Sequence, residues 1–323
     1  MRKTCLDCVY EIAKQDNRVF FLGSDLGVGT LQQFKAEMPD RYFMEGVSEA
    51  NLIGMAAGLA LEGKIVYANT IATFLTRRCF EQVALDLCLH NVKVRLIGNG
   101  GGLVYAPLGP THLATEDIAI FRALPRMTIL APADAGEMRR MMPHTVDHPG
   151  PIYIRLAKGG DPIVTDPNTP FTIGKAYPMR EGGDALIVTT GVMLKRGLDA
   201  AAQLSAKGIE AAVLHVPTIK PLDEGAILQL AARVPVVVTV EEHTIYGGLG
   251  SAVAEILAET DFDGPKRLKR IGIPDVFPDK YGSQDSLLAR YNITSEAICS
   301  AIEGLLSKKE NNGTTQEFRH AAP

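Results

Sequence analysis

The sequence has no long hydrophobic run, no surplus of positive charge and few cysteines. No segment of its 323 residues approaches the ~20 apolar residues of a bilayer-spanning helix, and the N-terminal MRKTCLDCVYEIAKQD has no apolar signal core. Its 33 basic and 37 acidic residues, without blocks of like charge, argue against a nucleic-acid-binding protein. Five scattered cysteines cannot form a disulfide framework and fit a reducing compartment. These absences predict a soluble cytoplasmic protein with neither membrane nor nucleic acid as a partner.

Several common site motifs are missing as well. The sequence contains no GxxxxGK[ST] phosphate loop and no GxSxG nucleophile elbow. The GGLG at 247–250 lacks the acidic residue that completes a dinucleotide fingerprint. Cys5 and Cys8 form a single CxxC without a second pair, and prolines bracket His144 and His148. We therefore expect no metal site within this chain, no NAD binding and no esterase-type hydrolysis.

Short apolar runs alternate with amphipathic stretches of helical length along the chain, which predicts βαβ units and mainly parallel sheets covered on both faces. Between two such series lies the aperiodic, Gly- and Pro-rich LAKGGDPIVTDPNTPFTIGK. The prediction is an α/β fold with domains at 1–164 and 165–307 and a disordered tail at 308–323. The predicted strands are Val19–Leu22, Ile65–Tyr67, Val92–Ile97, Met127–Leu130, Ile152–Ile154, Ala185–Thr189, Ala211–His215, Val234–Val240 and Leu268–Ile271.

The segment EGVSEANLIGMAAGLA at 45–60 carries an acidic residue at the start of an apolar helix. Ser48 is a candidate N-cap. Ala50, Gly54 and Gly58 are four residues apart, so they share a face that another backbone can approach closely. Glu49 has two interpretations that the segment leaves open. It either complements the helix N-terminus or is a semi-buried carboxyl whose raised pKa lets it exchange a proton.

Two further segments follow predicted strand ends, where open α/β sheets bind ligands. In ANTIATFLTRRCF at 68–80, Phe74 and Phe80 form either an aromatic wall or ordinary core packing. The Gly- and Pro-rich GNGGGLVYAPLGPTH at 98–112 ends in His112, which is either a proton or hydrogen-bond donor or a surface polar residue. Tyr105 lies in the loop that leads to His112.

Together these segments resemble the pyrimidine-binding and C-terminal domains of the transketolase family of thiamine diphosphate enzymes, over about residues 1–307. The C-terminal half is most similar to 1-deoxyxylulose-5-phosphate synthase. The motifs that carry the resemblance are SDLG at 24–27, EGVSEANLIGMAAGLA at 45–60, TFLTRRCFEQV at 73–83, GPTHLATEDIAIFRALPRMTILAPAD at 109–134, VEEHTIYGGLGSAVAE at 240–255 and IGIPDVF at 271–277.

The resemblance implies a role for each matching residue. Glu49 matches the glutamate that hydrogen-bonds the aminopyrimidine ring and so starts the proton relay that gives the thiamine diphosphate ylid. His112 matches a histidine that contacts a substrate oxygen, which makes Glu49 and His112 the expected catalytic residues. The other implied cofactor-binding residues are Asp25, Leu26, Phe74, Arg77 and Phe80. The expected substrate-binding residues are His112, Tyr105 and Arg155, although an arginine such as Arg155 also occurs at that strand end for structural reasons.

The family's diphosphate and Mg²⁺ site lies on a preceding domain, through a GDG motif followed by Asn, and this sequence contains no such motif. The resemblance therefore suggests the second polypeptide of a split transketolase, which binds thiamine diphosphate and Mg²⁺ across an interface with a partner chain. An α₂β₂ heterotetramer is the expected assembly, with the small-residue helix after Glu49 at the interface between chains.

The expected reaction is transfer of a two-carbon ketol unit from a ketose to an aldehyde acceptor. Leu108 stands where sugar-phosphate transketolases have an aspartate that recognises donor hydroxyls, so a modified sugar or a small aldehyde is among the candidate substrates. Three alternatives remain open: an E1 β-type subunit of a 2-oxo acid dehydrogenase, a 1-deoxyxylulose-5-phosphate synthase-like condensing enzyme, and a catalytically silent scaffold subunit.

Overall fold

The computed structural model describes residues 1–24, 31–157 and 159–311, with the backbone alone for residues 308–311. Within these ranges, no helix combines the length and the apolar composition that crossing a membrane requires. The strands are β1 (Val19–Gly23), β2 (Tyr42–Met44), β3 (Ile65–Ile71), β4 (Val94–Asn99), β5 (Thr128–Leu130), β6 (Ile152–Leu156), β7 (Tyr177–Arg180), β8 (Ala185–Thr189), β9 (Ala211–His215), β10 (Thr218–Lys220), β11 (Val236–Thr244) and β12 (Arg267–Ile273). The α-helices are α1 (Arg2–Gln15), α2 (Gln32–Glu37), α3 (Glu49–Leu61), α4 (Phe80–Gln82), α5 (Asp117–Arg122), α6 (Ala135–Met141), α7 (Met193–Ser205), α8 (Glu224–Ala232), α9 (Leu249–Ala258), α10 (Gln284–Arg290) and α11 (Ser295–Asn311).

The first sheet has the strand order β10-β5-β6-β4-β3-β1-β2, and every neighbouring pair is parallel except β10 with β5. Helices α3 and α5 pack on one face of this sheet, and α1 and α6 pack on the other. Because both faces are covered, β3 is buried at all seven of its positions, including the polar Asn69 and Thr70.

The second sheet has the order β12-β11-β8-β9-β7, parallel except for β7 at its edge. Helices α7 and α11 cover one face, and α8 and α9 cover the other. Strands β8 and β9 occupy the predicted residues. The predicted fold class, two domains with mainly parallel sheets flanked by helices, is confirmed.

One strand of the predicted second domain belongs to the first sheet. Residues 218–220 lie in the predicted second domain, yet they form β10 and pair antiparallel with β5 at the edge of the first sheet. The Ala131 amide donates to the Pro217 carbonyl at 2.8 Å, and the Lys220 ammonium group donates to two backbone carbonyls at the end of α5. The two domains therefore share a sheet edge. A three-residue strand is too short to show a periodicity, so the sequence pattern could not predict it.

Two helical segments also differ from the prediction. Helix α11 continues to Asn311, so residues 308–311 extend a helix where a disordered tail was predicted; residues 312–323 lie outside the described part of the chain. The sequence predicts a loop at 68–80 and a helix at about 78–90. The structure instead has the π-helical turn Phe74–Arg78 in the predicted loop, followed by the short α4 and a second π-helical segment, Val83–Leu89. Such turns re-aim side chains and are frequent at functional sites.

Candidate active site

The carboxyl group of Glu49 is buried at the start of α3. Glu49 is the first residue of this helix, and its side chain is 3% exposed. Its Oε2 accepts a hydrogen bond from Arg78 Nη1 at 3.1 Å, while Oε1 is buried and has no hydrogen-bond partner among the described residues. Ser48 occupies the N-cap position, but its hydroxyl donates back to the Glu45 carbonyl and does not cap the helix. Burying a carboxylate oxygen without a hydrogen-bond donor costs free energy. The site is therefore suited to a ligand that donates a hydrogen bond to Oε1.

The π-helical turn Phe74–Arg78 brings an arginine and an aromatic ring to Glu49. The guanidinium carbon of Arg78 lies 3.7 Å from the centroid of the Phe74 ring, a cation–π contact. The same guanidinium donates to Glu49, so one side chain joins the carboxylate to the aromatic ring. The sequence analysis names Arg77 and misses Arg78, since the π-helical geometry decides which of two adjacent arginines faces α3. The cofactor contact of Arg77 stays a prediction.

His112 also contacts Phe74. Its ring meets the Phe74 ring edge to face, with centroids 5.3 Å apart and an interplanar angle of 61°. Its Nδ1 lies 2.9 Å from the Thr111 hydroxyl, and the side chain is partly exposed. Glu49, Phe74 and His112, separated along the chain, are therefore linked by a continuous series of contacts through Arg78. A buried acid, through Arg78, and a partly exposed imidazole are thus joined to the same aromatic ring.

Arg77 points away from this group. Its Nη2 donates to Glu116 Oε2 at 3.0 Å, its Nε contacts the other oxygen of that carboxylate, and its Nη1 lies 3.5 Å from the Pro110 carbonyl. The structure thus places Arg77 as a bidentate partner of Glu116 at the start of α5, where it ties the π-helical turn to the His112 loop. Phe80 begins α4 and is 40% exposed. Asp25 and Leu26 lie outside the described residues.

Tyr105 packs inward. It is partly buried against apolar side chains of both domains, and this burial raises the pKa of its hydroxyl. Gly100, at a φ of +75°, makes room for the ring, since a β-carbon there would lie 2.1 Å from Tyr105 Cε2. The structure brings Tyr105 into the contact region between the two sheets, and its predicted contact with substrate stays a prediction.

Arg155 is held in a buried ion pair. Its side chain is 8% exposed; Nε donates to Asp117 Oδ2 at 2.7 Å, and Nη2 donates to Asp117 Oδ1 and to the Glu242 carbonyl. The Tyr153 hydroxyl donates to the same Asp117 carboxylate at 2.7 Å. Burial alone would raise the pKa of Asp117, but the Arg155 charge and these hydrogen bonds outweigh it and hold that pKa below its usual value. The geometry favours the structural interpretation of Arg155 over the predicted contact with substrate.

Another buried carboxylate, Glu242 on β11, reaches the glycine-rich loop of the first domain. Its Oε1 accepts from the Leu103 amide at 2.7 Å, and Gln284 Nε2 donates to both of its oxygens. Gly102 has a φ of +70°, and a β-carbon there would lie 2.5 Å from Glu242 Cγ, so glycine is required. Burial raises the pKa of Glu242 to about 7, although the Arg155 charge and the Leu103 amide oppose the shift.

This shift predicts a pH-dependent stability. The folded-state pKa exceeds the ordinary value of 4.5, so the contribution of protonated Glu242 is fully present below about pH 4.5 and is lost as the pH rises through about 7. Between about pH 5 and pH 8, wild type should lose on the order of 2 kcal/mol in free energy of unfolding relative to Glu242→Gln. Urea unfolding of both proteins at the two pH values measures the difference. Parallel pH profiles would show that Glu242 titrates at its ordinary pKa.

Comparison with known proteins identifies the family of both halves of the chain. Residues 1–160 match the family model described as "Transketolase, pyrimidine binding domain", and residues 174–298 match "Transketolase, C-terminal domain". The chain is 38% identical over 310 residues to a 6-deoxy-6-sulfo-D-fructose transketolase subunit of Clostridium sp. (strain MSTE9), covering 96% of this chain and 95% of that one. It is 36% identical over 305 residues to an apulose-4-phosphate transketolase subunit of Phocaeicola vulgatus, covering 94% and 96%.

Among solved structures, the chain is similar to one described as "Split gene transketolase, inactive beta4 tetramer". The two share 35% sequence identity with a TM-score of 0.86, over 95% of this chain and 98% of that one. The matched domains, the relatives and the fold agree with one another. The chain therefore belongs to the transketolase family, whose members depend on thiamine diphosphate, and it is similar to the second subunits of two-chain transketolases.

Proposed function

We propose that this chain is the second subunit of a two-chain transketolase that transfers a two-carbon ketol unit from a ketose to an aldehyde acceptor. The observation that carries the proposal is the buried Glu49 carboxylate, with Oε1 lacking a hydrogen-bond partner among the described residues. A protonated nitrogen or an N–H group of a bound heterocycle would satisfy that oxygen. The aminopyrimidine of thiamine diphosphate carries such groups, so the residues present fit the cofactor.

When bound, thiamine diphosphate supplies the carbanion that adds to the ketose carbonyl. Glu49 would hold the proton shared with the pyrimidine ring, since its Oε2 is already engaged by Arg78. Phe74 and Phe80 would pack around that ring. His112, in contact with Phe74 and partly open to solvent, would donate a hydrogen bond to the substrate oxygen that gains negative charge. Asp25 and Leu26 complete the proposed cofactor contacts.

The partner of this chain would be a subunit that carries the diphosphate site with its Mg²⁺. One face of α3 supports this proposal. Ala50, Gly54 and Gly58 are exposed along it, and a β-carbon at either glycine would meet no atom within 4 Å, so nothing within the described chain packs on this stripe. Leu85 and Leu89, on the neighbouring π-helical segment, are 48% and 63% exposed. Small residues beside exposed leucines are suited to close helix packing against another chain, as in an α₂β₂ assembly.

A modified sugar is the proposed substrate class. The two curated relatives are named for a sulfonated deoxyketose and for apulose 4-phosphate. Leu108 is half exposed on the His112 loop and offers no hydrogen-bonding side chain to a donor's hydroxyl groups. We assign the enzyme to the cytoplasm because all five cysteines are free and buried, as in a reducing compartment.

Titration calorimetry tests the two-chain proposal. Thiamine diphosphate with Mg²⁺ is titrated into this chain alone and into its mixture with the co-encoded candidate partner. We expect heat of binding from the mixture only, because this chain supplies a pyrimidine site without a diphosphate site. Tight binding to the isolated chain would refute the split site. The loaded mixture is then assayed for ketol transfer; CO₂ release from pyruvate or acylation of a lipoyl group would instead indicate a synthase-like enzyme or an E1 β-type subunit.

A further inference from the structure

The loop that carries His112 contacts the C-terminal domain closely at Gly109. This glycine has φ +78° and ψ −172°, and it is buried although Pro107 and Leu108 beside it are exposed. A β-carbon at Gly109 would lie 2.7 Å from Tyr281 Cε1 and 2.9 Å from Tyr281 Cζ. The Tyr281 ring, 70% exposed on its outer side, therefore lies against Gly109 and fills the space that a side chain at this position would need.

Gly109 in turn determines where His112 lies. The second half of the loop at 98–112 consists of two successive 3-10 turns, Ala106–Leu108 and Pro110–His112, with Gly109 between them. The Gly109 amide donates to the Ala106 carbonyl at 3.2 Å, and the Gly109 carbonyl accepts from the His112 amide at 3.0 Å. A displacement of Gly109 would thus pass directly to His112 and change its contact with Phe74.

The other end of the same loop is held by a residue three positions after Tyr281. Gln284 donates to both oxygens of Glu242, and Glu242 accepts the Leu103 amide. Ser283, between Tyr281 and Gln284, forms a reciprocal capping box with Ser286 that fixes the start of α10. One short segment, Tyr281–Gln284, therefore contacts the His112 loop at Gly109 and, through Glu242, at Leu103. We call it the bracing segment.

We propose that the bracing segment positions His112 for catalysis, with Tyr281 as the positioning residue that seats Gly109. Tyr281 is not a catalytic residue in this proposal, because it acts on the reaction through the loop. The contact uses the ring, so phenylalanine should serve almost as well as tyrosine. The inference rests on the proposed function for the role of His112, but the placement of the loop can be measured without any activity.

Amide hydrogen exchange of the full chain tests the placement. In Tyr281→Ala, the Gly109 and His112 amides should exchange about tenfold faster or more, because the loop opens locally without its cover. Tyr281→Phe should exchange like wild type. In Gln284→Met, the Leu103 amide should exchange faster, since Glu242 loses its second donor. Phe277→Ala is the matched control, because Phe277 lies in the same region and is 81% exposed. Unchanged exchange at Gly109 and His112 in Tyr281→Ala would overturn the proposal.

Kinetics of the assembled enzyme test the consequence. Tyr281→Ala should lower kcat/KM for ketol transfer by about tenfold or more, since misplacing a catalytic group by about 1 Å has effects of this size. The dissociation constant for thiamine diphosphate should stay unchanged, and Tyr281→Phe should restore the rate. A loss shared equally by Phe277→Ala, or a loss of cofactor binding, would contradict a positioning role. If wild type itself shows no ketol transfer, the proposed function fails, while the exchange experiment still decides the bracing segment.

Discussion

Glu49→Gln should reduce ketol transfer by the assembled enzyme by at least about a hundredfold, the usual scale for loss of a proton-transfer group. Glutamine has the shape of glutamate and can still accept from Arg78, but it cannot hold the shared proton. The isolated variant should unfold at the wild-type temperature, since Oε1 of Glu49 makes no hydrogen bond among the described residues. A rate assay of the reconstituted enzyme, with a thermal melt of the chain, measures both effects.

Glu62→Gln is the matched control for this experiment. Glu62 lies at the C-terminal end of the same helix and is exposed, so its substitution should change neither the rate nor the melting temperature. Wild-type turnover in Glu49→Gln would favour the scaffold interpretation or a different proton-transfer group. A large drop in melting temperature would show that Glu49 contributes to the fold, as the simple helix N-terminus interpretation requires.

Asp117→Ala should destabilise the protein by about 3–5 kcal/mol, the usual cost of leaving one member of a buried ion pair without its partner. Arg155 would remain buried with its charge uncompensated, and the Tyr153 hydroxyl would lose its acceptor. The free energy of unfolding in urea measures the loss.

Asp7→Ala is the control for the buried pair. It removes the pair between Lys3 and Asp7, whose side chains are 86% and 44% exposed, and should cost no more than about 1 kcal/mol. If Asp117→Ala costs as little as Asp7→Ala, then Asp117 and Arg155 do not depend on each other. Arg155 would then be free for the substrate contact that the family resemblance implies.

Most of the residues that contact one another around Phe74 were predicted from the sequence, namely Glu49, Phe74 and His112. Glu49 begins a helix as its segment predicts, and Phe74 and His112 follow strand ends, where parallel sheets gather their functional loops. Arg78 could not be chosen over Arg77 in this way. A loop is predicted there, and the π-helical turn depends on how the segment packs against α3 and the sheet.

The alternation of apolar runs and amphipathic stretches by itself determined the fold class, because burial on both faces of a sheet leaves a local periodicity. Strands β8 and β9 were accordingly predicted to the residue. Only the tertiary structure decided that β10 completes the first sheet, that Arg155 pairs with Asp117, and that Tyr281 covers Gly109. Each of these joins segments far apart in the chain. Such contacts depend on which surfaces bury each other, and this leaves no periodic signal in either segment.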